Sequence, residues 1–154
     1  MSVELDIARS NVEAELEAAI AWAGRHNWLL LWEPEFLRVR AATFHPHCGQ
    51  LLEVRGVFDS YKALPPEWRF CSPNAGEEGA HLFPKGGDRS IFHSSLAICA
   101  PWNRLAYAGY TGLHSDWALT GWSSIGGDVS QARTVAEMLS AIDVNLHGSP
   151  GMTA

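Results

Sequence analysis

The side chains best suited to covalent chemistry in this 154-residue sequence are three cysteines, Cys48, Cys71 and Cys99. They cannot all pair with one another, so at least one thiol is free. A thiolate can accept an acyl group and release it to an amine. A thiol with an ordinary pKa of about 8.5 needs a base or a cationic neighbour to become one at neutral pH. Two histidines flank Cys99 in the sequence, His93 six residues before it and His114 fifteen after it. Either could serve as general base or assist an incoming amine, and Asp116 could orient His114 or hold a lysine. The oxyanion of a tetrahedral intermediate also needs preorganised donors. Asn103, four residues beyond Cys99, is one source; Ser94, Ser95 and backbone amides near Cys99 are others. Each residue has a plainer reading. A free cysteine is most often a small buried hydrophobe, His93 could be structural, and His114, Asp116 and Asn103 could belong to a solvated loop. Trp102 could wall a substrate groove or simply pack.

Other chemistry finds less support. His45, His47 and Cys48, with Cys71, raise the idea of zinc, but adjacent ligands in a hairpin turn reach one ion poorly, so no metal is expected. There is no Gly-rich phosphate loop, hence no expected ATP-driven activation of a substrate and no expected cofactor. Seventeen acids against eleven bases give a net charge of −6, which argues against a general nucleic-acid partner. No apolar run is long enough to span a bilayer, and the N-terminus lacks a signal-peptide pattern. No membrane partner is expected, and a cytoplasmic location is.

These residues must be positioned by the elements around them. Val12, Leu16, Ala19, Ile20 and Ala23 recur at helical spacing and predict one amphipathic helix over about 7–23, stopped by Gly24. Residues 28–32 are a short aromatic strand. Leu37, Val39 and Ala41 alternate with Arg38 and Arg40, and Leu52, Val54 and Phe58 with Glu53 and Arg55, so a hairpin is predicted between about 36 and 58 around His45–Gly49. Pro65 and Pro66 force an extended crossing into a strand over 67–71. Residues 74–90 read as a surface loop. Residues 102–127, rich in both glycine and aromatics, read as a packed irregular loop. A last helix is predicted to start after Asp128 as N-cap, with Gln131 three residues on, and to end at Gly148. The fold class is therefore α+β: an N-terminal helix, an antiparallel meander of up to four strands, an irregular active-site loop and one further helix. One domain is expected over 1–148, with a disordered tail over 149–154.

The run from Leu51 to Pro73 resembles the central signature of ubiquitin-conjugating (UBC-like) enzymes, in which a strand is followed by a tyrosine, a proline pair and another strand; here these are Tyr61, Pro65 and Pro66. Ile98-Cys99 is similar to the Ile-Cys pair that holds that family's catalytic cysteine, and His93 lies where a histidine-containing motif precedes it. Trp122-Ser123 resembles the Trp-Ser before the family's second helix, and Thr134–Ile142 resembles that helix. The resemblance spans about residues 6–147. It implies that Cys99 forms a thioester with the C-terminus of a partner protein and passes it to an amine.

The departures bear on mechanism. His93-Ser94-Ser95 stands in place of the family's His-Pro-Asn, which removes the asparagine assigned to the oxyanion and the loop. Residues 100–121 form a longer link between Cys99 and Trp122 than eukaryotic members have, the usual C-terminal helices are lacking, and the first helix is acidic where eukaryotic members offer bases to an activating enzyme. These features are similar to divergent bacterial members found in antiphage operons, either CBASS-type or of ubiquitin-like conjugation. The partner implied is accordingly a CD-NTase cyclic-nucleotide synthase or a ubiquitin-like protein, with an activating enzyme as a further partner. The alternative is a UBC-like binding module that has lost catalysis. A third reading is a cysteine hydrolase using Cys99 and His114.

Overall fold

The computed structural model describes residues 2–111, 113–127 and 129–153. Four antiparallel strands form a meander in the order β1 (Leu29–Glu33), β2 (Arg38–Phe44), β3 (Leu51–Val57) and β4 (Glu67–Cys71). Helices α1 (Val3–Glu13) and α2 (Leu16–His26) precede the sheet, and α3 (Val135–His147) follows the long irregular stretch. The class is α+β, with a four-stranded antiparallel sheet.

Alternation sets the sheet. The side chains of Val39, Ala41, Leu52, Val54, Trp68 and Phe70 face the core and are all but fully buried. On the other face Arg40 and Arg55 stand opposite one another, beside the Ala42–Glu53 pair. The β2–β3 register, Phe44 opposite Leu51, leaves His45–Gln50 as the connection. It closes through His45 N–H to Gln50 O at 2.8 Å, with Gly49 at φ 77°, a conformation glycine adopts without strain. The strand predicted over 67–71 is β4.

The N-terminal region differs from expectation. Instead of one helix over 7–23 there are two, broken at Ala14 and Glu15, where Glu15 N–H bonds Val12 O at 2.8 Å in a tight turn. The cause is tertiary. The Glu15 carboxylate accepts from Tyr61 OH at 2.9 Å and Val135 N–H at 2.9 Å, and pairs with Lys62 Nζ at 2.8 Å. A continuous helix would forgo that arrangement. Gly24 does not stop the helix either. The chain leaves α2 through Asn27 in the left-handed region, which Asn tolerates better than most residues.

The last helix also starts later than predicted. Asp128, the expected N-cap, lies outside the described residues, and the N-cap of α3 is Thr134, whose hydroxyl accepts from Glu137 N–H at 3.2 Å. Gln131 is not in the helix. It bonds the carbonyls of Trp122 and Ile125 at 3.0 and 2.8 Å and stitches the irregular stretch to the helix start. That stretch is packed as predicted, with Trp102, Tyr107 and Trp122 buried. Each donates to a backbone carbonyl of a neighbouring segment: Trp102 Nε1 to Ser130 O, Tyr107 OH to Pro101 O and Trp122 Nε1 to Lys62 O.

Residues 149–153, in the tail expected to be disordered, pack against residues 83–85. Ser149 is fully buried, Met152 bridges Pro84, and Lys85 N–H and Thr153 N–H bond Gly151 O and Phe83 O at 2.8 and 2.9 Å.

Candidate active site

The three cysteines separate by environment. Cys48 is exposed in the β2–β3 turn. Cys71 is buried at the end of β4 with its thiol against Glu53, and burial pushes that thiol up to about 11. Cys99 is partly exposed and lies in a segment held by an antiparallel bridge between Phe92 and Ile98, with its own N–H bonded to Ile91 O at 2.7 Å.

Asn103 holds the far side of this segment. Its side chain is fully buried. Oδ1 accepts from Trp68 N–H at 2.9 Å and Leu105 N–H at 3.4 Å, while Nδ2 donates to Ile98 O at 2.9 Å and Trp68 O at 3.4 Å. The amide therefore occupies both backbone groups of Trp68 on the edge of β4 away from β3, and grips the carbonyl just before Cys99. Both its donor hydrogens are engaged, so the structure places Asn103 behind the nucleophile rather than facing a substrate. Arg104 continues the clamp. Its N–H bonds Pro66 O at 2.9 Å, and its guanidinium bonds Pro65 O at 2.9 Å and Asp59 at 2.8 Å.

Beyond Asn103 the chain turns back on itself. His114 N–H bonds Ala106 O at 2.9 Å, and Tyr107 and His114 form a parallel bridge. Because Tyr107 OH is tied to Pro101 O at 2.6 Å, the returning strand is registered against the residues just after Cys99. The result is that His114 Nε2 lies 3.1 Å from Cys99 Sγ. Asp116 Oδ1 lies 3.4 Å from His114 Nδ1 on the other side of the ring. Trp117 covers the ring face, with centroids 3.6 Å apart and planes within 1°, and leans in turn on Tyr107 at 5.6 Å. An imidazole carrying its proton on Nδ1, toward Asp116, leaves Nε2 to accept from the thiol. Burial raises the Cys99 thiol above its ordinary value, so the neutral thiol predominates and a base in contact is what makes it nucleophilic.

The pair opens into a cleft of about 450 Å³, walled by Arg89, Ser90, Trp117, Gly127, Val129 and Ser130. A concavity of about 400 Å³ on the outer face of the sheet, among Leu29, Leu31, Phe44 and Leu51, contains the Arg40–Glu53 pair but no cysteine or histidine.

Of the residues singled out from the sequence, the structure thus brings Cys99, His114 and Asp116 together. His93 is exposed and turned into its own loop, its Nδ1 2.9 Å from Ser95 Oγ and accepting Ser95 N–H at 3.1 Å. It does not line the cleft. Ser94 is exposed, and Trp102 packs inside. Trp117 was legible only as one aromatic among many; its position three residues after His114 carried no periodic signal. His45 is buried and hydrogen-bonded to Ser149 Oγ at 2.9 Å. Among the described residues no group of three or more His, Cys, Asp or Glu side chains converges as a metal site would.

Comparison with protein-family models gives no match to this chain, and a search of curated proteins gives none either.

Proposed function

We propose that the protein is a ubiquitin-conjugating-like acyl transferase, in which Cys99 is loaded with the C-terminus of a partner protein and passes it to an amine. The observation that carries this reading is Cys99 Sγ at 3.1 Å from His114 Nε2 in an open cleft. The order of elements supports it: helices, four-stranded meander, cysteine segment, then helix, which suits the UBC-like fold that the sequence resembles. His114 takes the thiol proton as Sγ attacks the donor carbonyl, and the donor's leaving group departs with its electron pair and a proton. The acceptor amine then attacks the thioester and gives its proton to His114 as the C–S bond breaks. Asp116 and Trp117 hold the ring in place throughout. The loaded partner in this proposal is a CD-NTase or a ubiquitin-like protein in antiphage defence.

Asp116 beside His114 Nδ1 favours a second reading, a cysteine hydrolase in which water takes the place of the amine. One experiment separates the two. The protein is incubated with a glycyl-glycine peptide thioester and a lysine acceptor, and followed by intact mass and product analysis. Transfer gives a thioester adduct on Cys99 and an amide product; hydrolysis gives the free acid alone. Cys99→Ser traps a stable ester, and a Cys99→Ala variant with full activity overturns both readings.

A further inference from the structure

We propose that this site takes acyl donors joined through an ordinary ester or amide bond, without prior activation as a thioester, and that His114 supplies the proton their leaving group needs. The inference rests on the transferase reading and extends it to the class of donor.

The argument begins with what thiol exchange requires. When a thiol displaces another thiol from a thioester, the two have similar acidity, with pKa values of about 8.5, and the departing sulfur leaves as thiolate without help. An amine leaving group has a conjugate acid of pKa about 10 and must be protonated as the C–N bond breaks. A positioned acid at the leaving group is therefore needed for amide cleavage and dispensable for thiol exchange, although the attacking thiol needs its base in both. Here that residue is built in. The His114 ring is held on three sides, by the backbone bridge to Tyr107, by Asp116 at 3.4 Å and by Trp117 stacked at 3.6 Å, with Nε2 directed at Sγ.

The environment of the thiol agrees. Cys99 is held above its ordinary pKa by burial, so it attacks with its proton moving to His114 rather than as a preformed thiolate. The charged groups facing the pair, among the described residues, are Asp116 beside the ring and Arg89 across the cleft. Small side chains on the cleft wall, Ser90, Gly127 and Ser130, leave room for unbranched residues beside the scissile carbonyl.

The step balances without an external energy source. The Cys99 proton passes to His114 Nε2 and the S–C bond forms. His114 returns the proton to the leaving nitrogen or oxygen as its bond to carbon breaks. An acceptor amine then attacks the thioester, its proton goes to His114, and the thiol is restored. An amide donor exchanged for an amide product conserves the bond type, so the chain's lack of a phosphate loop is no obstacle.

The test uses one acyl group, acetyl-glycyl-glycine, presented to the wild-type protein and to His114→Gln as a benzyl thioester, a methyl ester and a 4-nitroanilide, with lysine as acceptor. Cys99 loading is read by intact mass and anilide cleavage by absorbance. The expected result is that the wild type uses all three. His114→Gln should then lose rate on all three, because the thiol loses its base, but about 10²–10⁴-fold more on the ester and anilide than on the thioester, because those donors also lose the acid for their leaving group. If the wild type uses the thioester alone, or if the variant loses equally on all three, the inference is overturned while the transferase reading stands. If none of the three loads Cys99, the transferase reading itself falls.

Discussion

Asn103→Ala tests whether the asparagine behind Cys99 works on the reacting atoms or on the frame that holds them. In the structure its amide makes two short hydrogen bonds, from Trp68 N–H and to Ile98 O, both 2.9 Å, and two longer ones of 3.4 Å. Truncation leaves at least two backbone groups in a dry environment without partners, each costing about 1–3 kcal/mol. The variant should lose about 2–5 kcal/mol. For a chain of this size a loss of about 3 kcal/mol corresponds to a drop in Tm of about 6–12 °C. Urea unfolding gives the free energy directly, and iodoacetamide alkylation of Cys99 in a Cys48→Ser background reports on the site. The alkylation rate should rise, because the carbonyl before Cys99 has lost its tether. An Asn103→Ala protein melting within about 2 °C of the wild type while transfer collapses would refute this reasoning. It would assign the amide to the oxyanion instead.

Further outcomes follow from other parts of the structure. Burial raises the pKa of the Glu53 carboxyl, but hydrogen bonds from Arg40, Arg55 and Asn74 N–H outweigh it and hold it at about 2, from an ordinary 4.5. That stability is present above pH 4.5 and is lost as pH falls toward 2, in total about 3 kcal/mol. Glu53→Gln should abolish this acid slope and destabilise the protein at pH 7 by about 3 kcal/mol, both measurable by urea titration across pH. Burial lowers the pKa of His45, with His47 and His147 adding to the effect; the unfolded chain then binds the proton more readily, so stability falls as pH drops below about 6.5. His45→Asn should show a flatter melting profile between pH 7 and 5.5. Trp117→Ala, which removes the stack on His114, should move the pH midpoint of Cys99 alkylation upward by about 0.5–1 unit, and Trp117→Phe should restore it; an unchanged midpoint in the alanine variant would contradict the role given to the stack.

The sheet was legible because its alternation is local. Val39 and Ala41 against Arg38 and Arg40, and Leu52 and Val54 against Glu53 and Arg55, state their faces in a few residues, and a single register satisfies both strands. The break between α1 and α2 was not legible, since Ala14-Glu15-Leu16-Glu17 consists of good helix formers and the turn is imposed by Tyr61 and Val135, distant in sequence. The start of α3 was obscured likewise, because Gln131 looks like part of a capping pattern but spends its side chain on loop carbonyls. At the site, the sequence favoured His93, which precedes Cys99 at the motif position, and read His114 and Asp116 first as residues of a solvated loop. Only the return of the chain along Ala106 and Tyr107 selects His114 instead, and no pattern of hydrophobic period encodes that return. Asn103 was visible as a polar residue near the cysteine, but its burial depends on the edge of β4 being there to receive it.

The contacts of residues 149–153 reach the cleft through the loop before Cys99. Gly151 and Thr153 hold Lys85 and Phe83, Gly87 lies so close to Gly148 O that a β-carbon would collide with it, and Ile91 N–H is fastened to Asn145 at 3.0 Å. The loop so braced runs directly into Arg89, Ser90 and Ile91 at the cleft. Substitutions that remove these ties, such as Asn145→Ala, should therefore loosen Arg89, Ser90 and Ile91 and alter the cleft at a distance from the thiol itself.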